Sequence, residues 1–147
     1  MPRFAPVSAS YEELVPASPE EIFDAWTTPD ELKSWFGPGG FQTIEATVEA
    51  RPGGRYHLVM RTPDGQRLHI NGAFREVVRP SRLVYTWIWA HAPDQEMVVT
   101  VELRPLGVLQ TNVKVTHEQI VDGELARYQD GWREGLARLS ALLAMKK

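Results

Sequence analysis

The sequence predicts an α+β fold: a curved antiparallel sheet of seven strands laid around one long C-terminal helix, with two short helices between the first strand and the second. Three observations carry that prediction. Between Phe41 and His117 the apolar residues recur with a period near two, as in strands that turn one face to a core. The breaks between these segments span three to five residues, too few for the crossovers that parallel strands need. Leu125, Tyr128, Trp132, Leu136, Leu139 and Leu143 then follow at intervals of 3, 4, 4, 3 and 4, a single stripe of an amphipathic helix.

Taken in order, the first strand reads from Val7 to Val15 and stops at Pro16. Ser18, Pro19 and Glu21 then spell a helix start. Ser18 caps a free N–H, Pro19 suits the first helical position, and Glu21 reaches back to complete a capping box. Ile22, Phe23 and Trp26 give this helix, over 19–27, its apolar side. The same signal returns in Thr28, Pro29 and Glu31, with Leu32, Trp35 and Phe36 behind it, so a second helix is expected over 29–36. Gly37-Pro38-Gly39-Gly40 ends it.

Strands are expected over 41–50, 55–61, 67–78, 82–90, 96–104 and 108–117. The turns fall at Arg51-Pro52-Gly53-Gly54, Pro63-Asp64-Gly65, Arg79-Pro80-Ser81, Ala92-Pro93-Asp94 and Pro105-Leu106-Gly107. Alternation puts Tyr56, Leu58 and Met60 on the covered face, with Ile70, Gly72 and Phe74 beside them. Leu83, Tyr85, Trp87 and Trp89 share that face, as do Val99, Val101, Leu103, Val113, Val115 and His117. His57, Arg61, Arg75, Thr100, Glu102, Asn112 and Lys114 take the wet one. The long helix, about 22 residues or ~33 Å, is expected to cross the whole sheet. Gly131 and Gly135 cost it about 1 kcal/mol each relative to alanine. Either the helix tolerates them, or it approaches sheet or ligand closely there.

A chain of 147 residues makes one domain, 1–147, with no linker or repeat. Sixteen basic against nineteen acidic residues leave a charge of −3, which argues against a general nucleic-acid binder. The absence of cysteine excludes disulfides, thiolate metal sites and a cysteine nucleophile. No run approaches the ~20 apolar residues of a membrane span, and Met1–Pro6 lacks the apolar core of a signal peptide. A soluble, cytoplasmic protein is the expectation.

Four ordered blocks then match a known family. Ile22-Phe23-Asp24-Ala25-Trp26-Thr27-Thr28-Pro29-Asp30-Glu31-Leu32, continuing through Trp35-Phe36-Gly37-Pro38, is the first. Arg51-Pro52-Gly53-Gly54-Arg55-Tyr56 with Met60 is the second. Gly72-Ala73-Phe74-Arg75-Glu76-Val77-Val78 with Arg82-Leu83-Val84-Tyr85-Thr86-Trp87 is the third. Val115-Thr116-His117 with Gly131-Trp132 and Leu139 is the last. From about Val7 to Leu143 the chain resembles the activator of heat-shock protein 90 ATPase homologue family. That family belongs to the START-like, or SRPBCC, superfamily of helix-grip domains, which includes the birch-pollen-allergen-like proteins. The resemblance implies a hydrophobic cavity between sheet and long helix. It also implies binding of lipids, sterols, polyketides or other apolar molecules, some relatives being cyclases or hydrolases. The run Leu106-Gly107-Val108-Leu109-Gln110-Thr111 departs from the glycine-rich hairpin the family often carries there.

Catalytic motifs are missing. The histidines His57, His69, His91 and His117 show no metal-ligand spacing, and neither a phosphate loop, a dinucleotide fingerprint nor a G-x-S-x-G elbow is present. No catalytic residue, cofactor or metal is therefore expected. His117 reads either as a hydrogen-bonded histidine at the rim of the core or as a polar group that orients a ligand. The aromatic set Trp35, Phe36, Tyr85, Trp87, Trp89 and Trp132 comes from three elements that surround one space in this topology. Trp26 and Leu139 read as core.

The expected function is binding of a small hydrophobic or amphipathic ligand, lipid-like or polyketide-like, in a cavity of roughly 300–1,000 Å³. Its walls are expected to be Trp35, Phe36, Tyr56, Met60, Phe74, Tyr85, Trp87, Trp89, Val101, His117, Tyr128 and Trp132. An enzyme of cyclase or hydrolase type, with Tyr85 or His117 polarising a carbonyl, is the alternative. A co-chaperone acting on a heat-shock ATPase is a third reading. Val59, Val84, Ile88 and Val98 on the outer face would suit a homodimer as an exposed apolar patch.

Overall fold

Strand β1 (Val7–Val15) leads into helix α1 (Pro19–Thr27) and helix α2 (Pro29–Trp35). A meander follows: β2 (Gln42–Val48), β3 (Arg55–Arg61), β4 (Arg67–Val78), β5 (Arg82–Trp89), β6 (Met97–Gly107) and β7 (Gln110–Ile120), and helix α3 (Leu125–Ala144) closes the chain. This computed structural model describes residues 7–147, so the expectation for Met1–Pro6 lies outside the described residues. All seven strands form one antiparallel sheet in the order β1-β7-β6-β5-β4-β3-β2. It is a helix-grip arrangement, with the first strand brought round to pair with the last.

The capping box at α1 forms as the sequence predicts. Glu21 N–H donates to Ser18 Oγ at 3.2 Å, and Ser18 N–H donates to Glu21 Oε1 at 3.1 Å. The second helix start differs. Thr28 makes no side-chain cap bond, and its backbone N–H donates to Asp24 O as the end of α1. One residue serves both helices, which is why they follow each other without a linker.

Three other expectations need correcting. The turn between β6 and β7 is not Pro105-Leu106-Gly107: β6 runs to Gly107, which pairs with Gln110, and the chain reverses at Val108 and Leu109. Pro105 is tolerated inside the strand because the β5 pairing extends no further than Arg82 opposite Glu102, which leaves this stretch on an open edge. β7 also continues past His117. Gln119 adopts a positive φ of 67°, and Ile120 is fully buried, so the simple alternation ends there. Finally, the outer face is less wet than alternation implies. Val59 and Val84 are only 1% and 7% exposed, so they form no exposed patch with Ile88 and Val98. Val59 lies between Glu45 and His69. Val84 lies between Glu76 and Thr100, beside an Arg82 that bridges Glu76 and Glu102.

Helix α3 approaches the sheet unevenly. Its backbone runs closest to β1, at one edge, with lesser approaches to α2 and β7. Helix α1 sits against β6, and α2 against β2. Over strands β3 to β5 the approach from α3 is made by side chains across a gap rather than by close backbone contact. Trp26, Trp35, Phe36, Trp87 and Trp132 meet over them, with ring centroids 4.7–6.1 Å apart, a spacing suited to edge-to-face and offset aromatic contact.

Gly72 on β4 shows how tightly the other side is built. Tyr56 stands opposite it, passes over it and donates its hydroxyl to Thr86 O on β5 at 2.6 Å. A Cβ at Gly72 would fall inside contact distance of that carbonyl and 2.5 Å from the Tyr56 ring. Gly72→Ala is therefore expected to cost about 1–3 kcal/mol of stability through overpacking. Urea unfolding monitored by circular dichroism measures the loss.

Candidate functional site: a cavity walled by aromatic side chains

A cavity of about 880 Å³ lies between α3, the segment from Trp35 to Phe41, and strands β3 to β5. The pleat of β5 turns Trp87 and Trp89 to the same face, and both border the space. The 3–4 spacing of α3 brings Tyr128, Gly131, Trp132 and Gly135 to it from the opposite side. Trp35, Phe36, Pro38 and Phe41 close one end, with Met60 and Leu68 beneath. His91, Gln95, Arg127, Asp130 and Glu134 also line the space and are exposed, so they form its mouth.

The wall from Trp35 to Gly39 is clamped to α3. Arg138 Nη1 donates to Trp35 O and to Gly37 O, each at 2.9 Å, and Nη2 donates to Pro38 O at 3.5 Å. Gly39 N–H donates to Glu134 at 2.8 Å. Gly131 and Gly135 are where α3 passes this loop. A Cβ at Gly131 would sit 3.7 Å from Pro38 Cβ, and one at Gly135 3.5 Å from Gly37 O. Both are ordinary contacts, so no protein atom demands glycine at either position.

Of the residues expected to line the cavity, Trp35, Phe36, Met60, Trp87, Trp89, Tyr128 and Trp132 border it. Tyr56, Phe74 and Tyr85 lie elsewhere. With Trp26, Leu32, Phe36, Val48 and Leu58 they surround a second space of about 20 Å³, room for one water at most. Val101 and His117 are fully buried and border neither space. The residues that sequence reasoning missed are Phe41, Leu68, the loop glycine and proline and the polar mouth, while Gly131 and Gly135 were singled out without being placed among the walls. Gly131 and Gly135 were detectable, since they fall 3 and 7 positions after Tyr128 and so share its side of the helix. Phe41 and Leu68, at the ends of their strands, carried no such signal.

The polar chemistry inside the walls is nearly all internal. Trp26 Nε1 donates to Tyr85 Oη at 3.2 Å, Trp35 Nε1 to Ala25 O at 2.9 Å, and Trp89 Nε1 to Tyr128 Oη at 2.8 Å. Trp132 Nε1 donates to His117 Nδ1 at 3.0 Å. That bond places the imidazole proton on Nε2, which lies 3.2 Å from Met97 Sδ. Burial holds His117 neutral, lowering its pKa from 6.5 to about 3, and burial likewise pushes the Tyr85 and Tyr128 hydroxyls up. Neither Tyr85 nor His117 is placed to polarise a carbonyl in the large cavity. Trp87 Nε1 alone is buried without a hydrogen-bond partner among the described residues. Among those residues no group of three or more His, Asp or Glu is placed to hold a metal ion, and no helix is long and apolar enough to cross a membrane.

The His117 shift has a measurable sign. Unfolded, the residue takes up a proton near pH 6.5; folded, it does so only near pH 3. Its contribution to stability is complete above pH 6.5 and is lost as the pH falls towards 3. Between pH 7 and pH 4.5 this amounts to about 2–3 kcal/mol. His117→Gln keeps an acceptor for Trp132 and removes the titration. Urea melts at the two pH values are expected to show a smaller stability loss in the variant by that amount.

Comparison with known proteins accords with this architecture. A protein of Silicibacter pomeroyi described as AHSA1 superposes with a TM-score of 0.84 at 25% identity, over 96% of this chain and 100% of its own. A Chromobacterium violaceum protein gives 0.81 at 27% identity, over 92% and 96%. An HSP90 activator from Plasmodium falciparum gives 0.72 at 25% identity, over 93% and 96%. No curated protein matches the chain. The model of the family described as activator of Hsp90 ATPase homolog 1-like protein matches residues 16–144, and the chain belongs to that family.

Proposed function

We propose that the protein, acting as a single START-like domain over residues 1–147, binds a small apolar or amphipathic molecule in the aromatic cavity. One observation carries the reading: about 880 Å³ of space behind α3 is left unfilled by side chains, within the range of small-molecule sites. The two glycines support it. Each costs α3 about 1 kcal/mol of helix stability, and each borders the cavity at a place where the neighbouring loop would accept a methyl group. Space for an occupant accounts for them better than packing does.

The likeness to a Plasmodium falciparum HSP90 activator favours a second reading, a co-chaperone that stimulates a heat-shock ATPase. The two separate cleanly, since the second predicts a rise in ATPase rate on adding the protein to the chaperone and the first predicts none.

The binding reading is tested with the neutral fluorescent probe N-phenyl-1-naphthylamine. The folded protein is expected to light the probe at a single saturable site, and a dark titration overturns the reading. Gly131→Ala and Gly135→Ala are each expected to raise stability by about 1 kcal/mol. The same variants should weaken probe binding about tenfold, or 1.4 kcal/mol. Thermal melts and the fluorescence titration are run on the same samples.

A further inference from the structure

We infer that the occupant of the cavity is a neutral molecule carrying a carbonyl or ether oxygen, which accepts hydrogen bonds from Trp87 and Tyr128; this rests on the ligand-binding reading above. A buried N–H without a partner costs about 1–3 kcal/mol, and unsatisfied groups of this kind call for an explanation. Four of the five indoles have found acceptors inside the protein. The fifth, Trp87, borders the cavity and has none. Tyr128 stands beside it, with ring centroids 6.3 Å apart. Its hydroxyl oxygen accepts from Trp89, and no acceptor is recorded for its own proton among the described residues. One wall therefore offers two unspent donors.

The charge follows from what is missing at that depth. Arg127 lies exposed at the mouth, and Arg138 is committed to three backbone carbonyls. His117 is neutral behind Trp132. An ionised carboxylate at Trp87 would lie in an apolar space without a cation, which is costly. A ketone, ester, amide or ether oxygen carries no such penalty. The bond needs a tilt of the indole, because Trp87 Nε1 exposes less than 1 Å² in this arrangement.

The test is a matched pair, 1-tetralone against tetralin, which differ by one carbonyl. The full chain labelled with ¹⁵N is titrated with each. Both should bind, and the ketone alone should move the Trp87 indole N–H resonance downfield. The ratio of ketone to hydrocarbon affinity is expected to fall about fivefold or more in Trp87→Phe and in Tyr128→Phe. An unchanged ratio in both variants with an unmoved Trp87 resonance overturns this inference while leaving the cavity as a binding site. If neither compound binds, the ligand-binding reading itself falls, and this inference with it. Should Trp87→Phe not fold, the wild-type resonance and the Tyr128→Phe ratio decide.

Discussion

One dimensional mismatch shapes this molecule. Seven strands about 4.8 Å apart make a sheet roughly 29 Å wide, while a helix with its side chains is about 10 Å across. Helix α3 is committed to one edge, above β1. The short pair α1 and α2 supports β6 and β2. Between them α3 faces the floor formed by β3, β4 and β5 across a gap. Indoles and phenyl rings bridge part of that distance, and the remainder is the cavity. Where α3 docks thus decides both what is core and what is site.

The division between core and site is also a division of hydrogen-bonding capacity. Beneath the cavity, Trp132, His117 and Met97 form a closed chain of contacts. The histidine there is held neutral by burial and acts as an acceptor that fixes the Trp132 ring. On the far side Trp26 is tied to Tyr85, and Tyr56 to Thr86. Groups that have consumed their polar capacity in this way orient the aromatic walls and offer nothing to a substrate. A rigid wall with few free donors suits selection of a ligand by shape and one or two polar contacts.

Alternation and helix periodicity made the strands, the covered face and the stripe of α3 legible, and Ser18 with Glu21 marked the start of α1. Local grammar failed where an outcome depends on a neighbour. Thr28 is a capping residue by type, yet its side chain makes no cap bond and the residue doubles as the end of α1. Pro105 looks like a turn residue but sits in an edge stretch of β6. Val59 and Val84 occupy outer-face positions yet are buried between polar cross-strand neighbours, Glu45 and His69 for the first and Glu76 and Thr100 for the second. For the site, the sequence identified the right aromatic elements. It did not separate the two groups they form, because β3 and β5 each contribute to both, Tyr56 and Tyr85 to the small space and Met60, Trp87 and Trp89 to the large one, and where along a strand the division falls depends on how the helices dock, a long-range property. His117 shared a face with Trp87 and Trp89 but lies one layer deeper.

The size of the cavity limits the state it exists in. An empty, sealed apolar void costs about 24 cal/mol per Å³. On that scale 880 Å³ would cost roughly 20 kcal/mol, more than the ~5–15 kcal/mol by which a typical domain is stable at all. The space therefore has to be wet or occupied, and the polar mouth of Gln95, Arg127, Asp130 and Glu134 gives water its way in. Water inside has few partners on these walls, since Trp35, Trp89 and Trp132 have already spent their N–H groups within the protein. Poorly held water is favourably displaced by apolar surface. The same mismatch that leaves the sheet uncovered therefore also supplies the driving force for filling it.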